Sequence, residues 1–421
     1  MKIAVIGAGW AGLAAAVTAT QAGHHATVFE ASRAVGGRAR ALFDTNNVDG
    51  LDNGQHILIG AYTDTLRLMH TVGIDPEKSL LRLPLTLLFP DGQGLSLPNL
   101  PAPFDAFVGI LQARGWGWRD KAALLRTAVG WQLARFQCSP QQSVTDLCAR
   151  LTPRVVNELI ELLCVAALNT PADRSSGQVF LRVIQDSLFG ALGGSNLLLP
   201  QVDLGALFPV PAVRWLEQHG ARVVMGHRVQ TIQPQGLQWS VDADWFDHVL
   251  LACPPWEAAR LVKHSGAQAD AWLAQVRTLA FESIATVYAT SHARLAQPML
   301  SLRGGPAQFV FDRGQLGGPA GLLAFVASAS QGDRQALEAA VLLQGQQQLG
   351  LDNLKPLRTV VEKRATFACT PALQRPAQHI ASGLMACGDY VDGPYPATLE
   401  GAVRSGISSV SAAACSRRAA S

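Results

Sequence analysis

Apolar and polar positions along the chain change rhythm several times, and each change marks an element. Lys2-Ile-Ala-Val-Ile6 is a short β-branched run suited to a buried strand. Gly7-Ala-Gly-Trp-Ala-Gly12 follows at once, and Leu13 to Gln21 predicts an alanine-rich helix that stops at Gly23. Ala26-Thr-Val-Phe-Glu30 predicts a second strand ending in a carboxylate. The α/β rhythm resumes from Gly193 to Ile232. There Leu204 to His219 predicts a helix, Ala221 to Met225 a strand and His227 to Ile232 a further strand. Phe246 to Ala252 predicts a strand running into Cys253-Pro-Pro255, and Gly383 to Asp389 one ending in Gly-Asp. After Pro394 and Pro396, Ala397 to Gly406 opens the last helix. Between these segments, Leu80 to Leu100 alternates apolar residues with Pro84, Pro90 and Pro98, which predicts short strands lining a cavity. Leu162 to Leu168 predicts an apolar helix core that leads to Asn169 and lines a substrate tunnel.

Composition narrows the class. The 421 residues are 48% hydrophobic and 15% charged, which excludes a disordered chain and leaves room for about two or three domains. A net charge of +3 supplies no basic field for nucleic acid. Seven cysteines (138, 148, 164, 253, 369, 387 and 415) are odd in number, irregularly spaced and without a C-x-x-C pair. They predict neither a disulfide framework nor a zinc site, and a cytoplasmic setting fits them. The 10 histidines lack metal-ligand spacing, so no metal is predicted, and the absence of G-x-S-x-G argues against a serine hydrolase. The run from Ile3 to Ala19 lacks the strongly basic flank of a signal peptide and carries ordered glycines instead. No segment offers the ~20 uninterrupted apolar residues of a spanning helix, which predicts a protein that is soluble or lies on a membrane.

The glycines carry the chemistry. Strand, G-x-G-x-x-G, helix, strand and acid within thirty residues form a dinucleotide fingerprint. Gly7 permits the tight turn, Gly9 lets backbone approach a pyrophosphate, and Gly12 lets helix pack on strand. Ala11 stands with them at the helix N-terminus, where N–H groups face an anion. Glu30 accepts from ribose hydroxyls and repels a 2′-phosphate, which disfavours NADP. Gly36-Gly37 brings further amides against phosphate, and Arg38 neutralises it. Asp52-Asn-Gly-Gln-His56 places five turn-forming or hydrogen-bonding groups ahead of a buried run; backbone near a ligand and a simple turn both explain it. Gly388-Asp389 can present an acid to a ligand, and the helix opened by Thr398, Leu399 and Ala402 can face one with its N-terminus; on its own this segment also reads as one more capped helix.

The glycine doublet followed by arginine after the second strand resembles the FAD-containing amine oxidase and phytoene desaturase superfamily. Asp52 to His56, Ala166 to Pro171 and Tyr395 to Gly401 together resemble, more narrowly, the hydroxysqualene dehydroxylases of bacterial squalene and hopanoid synthesis. The resemblance implies an α/β fold. Its Rossmann-type FAD-binding domain would be assembled from residues 1–80, 191–255 and 351–421, with an inserted α+β substrate domain at 81–190 and 256–350. It implies FAD near Arg38, held also by Gly54, Gln55 and His56, with adenine against the backbone of Val229. The implied activity is reductive removal of the allylic hydroxyl of hydroxysqualene to give squalene, with hydride from reduced flavin. His56 is then the expected proton donor, Asp52 the group that orients it, and Tyr395 a second donor. An isoprenoid desaturase or flavin oxidase on the same scaffold is the enzyme alternative, and a non-catalytic isoprenoid-binding flavoprotein the other.

The remaining partners are a triterpene lipid and an electron donor not visible in the chain. Phe104, Phe107, Trp116, Trp118 and Trp131 stand among Arg114, Arg119, Lys121, Arg126 and Arg135. This interleaving fits either a peripheral contact with the inner face of the cytoplasmic membrane or an ordinary helical cap with core aromatics. Tryptophans 239, 245, 256 and 272 read as packing.

Overall fold

The computed structural model describes residues 1–42 and 50–418, with side chains described to residue 414. The Cys415 side chain and the parts of the 1–80 and 351–421 segments beyond these limits lie outside what is described. Strands Lys2–Ile6 and His25–Glu30 pair in parallel, as the apolar runs predict. Four further strands complete a six-stranded sheet in the order His379–Ala381, Leu384–Ala386, His248–Leu251, Lys2–Ile6, His25–Glu30, Arg222–Met225. All neighbours are parallel except the first pair. Ile3, Ala4 and Val5 have no exposure, because such a strand is covered on both faces and every position is apolar. Helix Trp10–Gln21 starts three residues earlier than its apolar pattern suggests and packs on the last helix, Leu399–Arg418. Small residues permit the approach: a Cβ on Gly406 would lie 2.2 Å from the Ala11 carbonyl oxygen.

A second sheet of five antiparallel strands runs Met299–Ser301, Phe309–Asp312, Leu322–Ser328, Phe281–Thr290, Lys355–Phe367. Its residues alternate between two cores. Val287, Val310, Leu323 and Phe325 pack with Val341 of helix Arg334–Leu349, while Phe309, Phe311, Ala324 and Val326 belong to the core on the other side. Short strands Leu80–Leu83, Thr86–Leu88 and Gly94–Ser96 occupy the alternating region, and Leu85, Leu95 and Leu97 line a small apolar cavity there. Helices Phe104–Gln112, Trp118–Leu133, Glu161–Leu168 and Gly177–Leu188 build the cap above it.

Two predicted elements differ. The helix over 204–219 is broken into Leu204–Leu207 and Pro209–Gln218, because Pro209 excludes the helical conformation at Phe208 (φ −150°, ψ −50°). Of 227–232 only Ile232 enters a strand, Ile232–Gln235. The Asp242 carboxylate takes the Gln230 and Thr231 N–H groups at 3.0 and 2.9 Å and His227 Nε2 at 2.9 Å, so a side chain replaces the strand ladder.

Candidate functional site

A cavity of about 770 Å³ opens at the carboxyl ends of the parallel strands, where doubly wound sheets take their ligands. Ile6, Glu30, Ala252 and Gly388 bound it from that sheet, and Ile284, Phe309, Phe311 and Val326 from the antiparallel one.

The three motif glycines have separate reasons to exist. Gly7 has φ +115°, and a Cβ there would lie 2.6 Å from the Ala252 carbonyl oxygen. At Gly12 a Cβ would lie 1.9 Å from the Gly7 oxygen, so both are demanded by the protein itself. Gly9 is different. Its φ of −77° suits any residue, and the nearest protein atom to a Cβ there is Gly37 Cα at 4.0 Å. The bare position therefore leaves a cradle in the cavity wall. It sits at the N-terminus of helix Trp10–Gln21, which no side chain caps. Gly36 and Gly37, held by a hydrogen bond from Gly36 N–H to Ala8 O at 2.8 Å, form the facing lip.

Charged groups surround this cradle. Glu30 accepts from the Ala8 N–H at 2.7 Å and the Ser32 N–H at 2.8 Å, which fixes the acid at the rim with one lone pair on each oxygen still to spare. Arg38, partly open to the cavity, pairs with Asp389 and donates to Ala365 O at 2.6 Å. Burial works against its charge, but Asp389, with Glu362 and Tyr390, outweighs burial and holds the guanidinium above its ordinary value. Val229 and Ala11 also line the cavity; Val229 O accepts from Arg260 at 2.8 Å. Gly388 N–H donates to Ser405 Oγ at 2.8 Å. Thr398 precedes the last helix and takes the Gly401 N–H at 3.0 Å, so Thr398, Leu399 and Ala402 bring that helix's N-terminus to the wall.

The Asp52–His56 loop corrects part of the expectation. Asn53, Gly54, Gln55 and His56 line the cavity, but Asp52 does not. The Asp52 carboxylate is turned inward, where it accepts from Leu204 N–H at 2.9 Å and lies 3.8 Å from Arg313, so it cannot orient His56. Burial pushes Asp52 up to about 7, against the pull of Leu204 and Arg313. His56 is oriented by backbone instead: its Nδ1 lies 2.8 Å from Gly54 O, which requires the proton on Nδ1 and leaves Nε2 an acceptor. Burial, with Arg38 nearby, holds the imidazole below its ordinary 6.5 despite that bond, so the ring is neutral near pH 7 and does not serve as a standing acid. Tyr395 also lies off the cavity. Its left-handed backbone (φ +58°) carries the ring against Tyr62 and under Arg404, while burial and Asp186 push the phenol up to about 12. It packs the loop before the last helix rather than donating a proton into the site.

Several residues in or behind the cavity wall escape a reading of motifs. Arg313, fully buried and 258 positions from Gln55, donates to Gln55 Oε1 at 3.1 Å and so fixes the amide at the cavity. Glu362 accepts from Asn53 at 3.0 Å. Asn169 ends helix Glu161–Leu168 at φ +46°; its side chain donates to Thr366 at 3.0 Å and accepts from Ala329 N–H at 2.8 Å. In sequence that residue stands out only as the end of the apolar helix and as part of a segment noted for its resemblance. Val165, Ala166 and Ala167 beside it line the cavity, in keeping with the helix expected there. The period-two pattern Phe309, Phe311 was the available signal for the apolar wall.

Taken by donor type, one part of the cavity offers amides, a bare glycine cradle and a guanidinium, which fit phosphate. The other part is apolar with a few fixed polar groups, which fits a flat ring and a hydrocarbon. These residues fit a flavin nucleotide.

The model of the flavin containing amine oxidoreductase family matches residues 10–414. The chain is 27% identical over 423 residues to a hydroxysqualene dehydroxylase of Rhodopseudomonas palustris, and 25% over 439 residues to one of Sinorhizobium fredii; each match covers 96% of both chains. A 15-cis-phytoene desaturase of Narcissus pseudonarcissus is 26% identical over 245 residues, 55% of this chain and 42% of that one. Among solved structures, an oxidoreductase from Methanosarcina mazei superposes with a TM-score of 0.73 at 17% identity, covering 98% of this chain and 100% of that one.

Proposed function

The chain belongs to the flavin containing amine oxidoreductase family and is a flavin-dependent oxidoreductase, and from that premise we propose that it uses FAD to convert hydroxysqualene to squalene. The observation that carries this reading is the end-to-end similarity to hydroxysqualene dehydroxylases, against a partial one to a carotenoid desaturase. The cavity's division supports it: Phe309, Phe311, Val326 and Ile284 form an apolar wall that suits a hydrocarbon.

FAD, when bound and reduced, supplies a hydride to the allylic carbon. The Gly9 and Gly37 cradle with Arg38 holds the pyrophosphate, Glu30 the ribose and Val229 the adenine side. Gln55, braced by Arg313, and the N-terminus of helix Leu399–Arg418 would hold the flavin end. The overall change consumes one hydride and one proton and releases water, so the C–O bond breaks as its oxygen is protonated. His56 carries the proton: its neutral Nε2 takes one up from solvent and passes it to the hydroxyl oxygen as the C–O bond breaks, so the oxygen leaves as water. Apolar side chains on the facing wall exclude water from the developing allylic cation. Electrons arrive from a separate donor.

Dithionite-reduced protein incubated anaerobically with hydroxysqualene tests the reading. Squalene in the extract supports it. Untouched hydroxysqualene, with oxidised protein introducing double bonds into a saturated isoprenoid, replaces it with a desaturase.

A further inference from the structure

The cap turns an apolar surface outward. Leu100, Phe104, Phe107, Trp118, Val129 and Leu133 are all exposed, Trp118 by 77% and Leu133 by 82%. On helix Trp118–Leu133 a rotation of about 100° per residue places Trp118, Val129 and Leu133 within roughly 60° of one another. Leu124 and Trp131, on the opposite side, are buried in the cap. The helix is therefore apolar on two faces, and only one has a partner among the described residues. Trp116 and Trp131, which the interleaved pattern also suggested for a surface, belong to the core instead.

Charge distinguishes what covers the outer face. Arg114, Arg119, Arg126 and Arg135 are exposed around it, and Lys121 lies 5.6 Å from the Trp118 ring centroid. The two carboxylates in residues 100–135 are both engaged. Asp105 is buried, and Asp120 accepts from Gly117 N–H and the Thr152 hydroxyl at 2.9 and 2.6 Å. A second copy of the chain related by a two-fold axis would set these cations against their own kind, without carboxylates to answer them. An anionic bilayer answers both features, with acyl chains for the apolar side chains and phosphates for the arginines.

We propose that this face, centred on Phe104, Phe107, Trp118 and Leu133, docks the protein on an anionic lipid surface. The same two helices turn Ala106, Ile110, Leu124, Ala128 and Trp131 toward the small apolar cavity of about 60 Å³ inside the cap. Leu163 on its far wall belongs to helix Glu161–Leu168, whose Ala166 and Ala167 line the large cavity. The docking face thus stands over an apolar cavity that shares helix Glu161–Leu168 with the site. This arrangement serves the isoprenoid reading, but lipid binding is measured apart from it.

The test is co-sedimentation of the full-length holoprotein with vesicles of phosphatidylcholine alone or mixed equally with phosphatidylglycerol. Binding to the mixed vesicles, weakened by salt, is expected. The triple variant Phe104→Ser, Phe107→Ser, Leu133→Ser should weaken it by at least about tenfold, with unchanged flavin absorbance and melting temperature because all three side chains are exposed. Arg119→Gln with Arg126→Gln should remove most of the preference for phosphatidylglycerol while leaving the fold intact. Wild-type protein that stays in the supernatant with both vesicles overturns the proposal, as does a triple variant that binds equally well. A dimer in sedimentation velocity that the triple variant abolishes would assign the face to a second copy. Failure of hydroxysqualene turnover alone would leave the docking result standing.

Discussion

Gly9→Ala separates a position kept bare for a ligand from one kept bare for the fold. The backbone at Gly9 (φ −77°, ψ 179°) accepts alanine, and the new methyl meets no protein atom nearer than 4.0 Å. The cost to the apoprotein is that of a poorer helix N-cap, about 1 kcal/mol or less. The methyl nevertheless fills the cradle between Gly9 and Gly37, and it holds a phosphate away from the N–H groups at the helix start. Loss of two charge-assisted hydrogen bonds at roughly 1.5 kcal/mol each removes about 3 kcal/mol, or about a hundredfold in flavin affinity. Gly12→Ala is the control: its Cβ would lie 1.9 Å from Gly7 O, so helix and strand must part, at about 3 kcal/mol of stability. Thermal unfolding of both apoproteins, with FAD titration followed by quenching of flavin fluorescence, reads the two quantities separately. The account fails if Gly9→Ala binds FAD within threefold of wild type, or if its apoprotein is destabilised as much as Gly12→Ala.

Three further outcomes follow from the site. Arg38→Met leaves the Asp389 carboxylate without its partner and the phosphate without a cation; FAD affinity should fall by about tenfold or more, as read by the same titration. Asp52 ionises at about 7 when folded and at 3.8 in its ordinary state, so between these values the folded protein holds a proton that the unfolded chain has lost. Its contribution to stability therefore falls as pH rises from 4 to 7, and Asp52→Asn should gain in melting temperature relative to wild type between pH 5 and pH 8; a constant difference would contradict the assignment. Val326→Glu puts a charge into the apolar wall, so kcat/KM for hydroxysqualene should drop by about a hundredfold while the flavin spectrum is retained.

Local backbone demands were legible in the chain; the direction of side chains was not. The strand, turn and helix around Gly7 and Gly12 follow from steric rules acting over a few residues, and the buried runs at 2–6 and 248–251 announce a parallel sheet. Asp52 illustrates the limit. Its neighbours in sequence suggested a partner four residues away, but its carboxylate meets Leu204 and Arg313, brought in by other segments. Tyr395 is turned off the cavity by a left-handed backbone that no motif requires. Among the cap aromatics, Trp118 and Trp131 look alike in sequence, and only the packing of their helix exposes one and buries the other. The strand expected at 227–232 was displaced by the Asp242 carboxylate, a competitor more than ten residues on.

The most direct measurement is an anaerobic titration of the reduced protein with hydroxysqualene, following the oxidised-flavin band and the extracted lipid together. The account predicts reoxidation matched one to one by squalene, with no oxygen present. A flavin that stays reduced beside unchanged hydroxysqualene would contradict it.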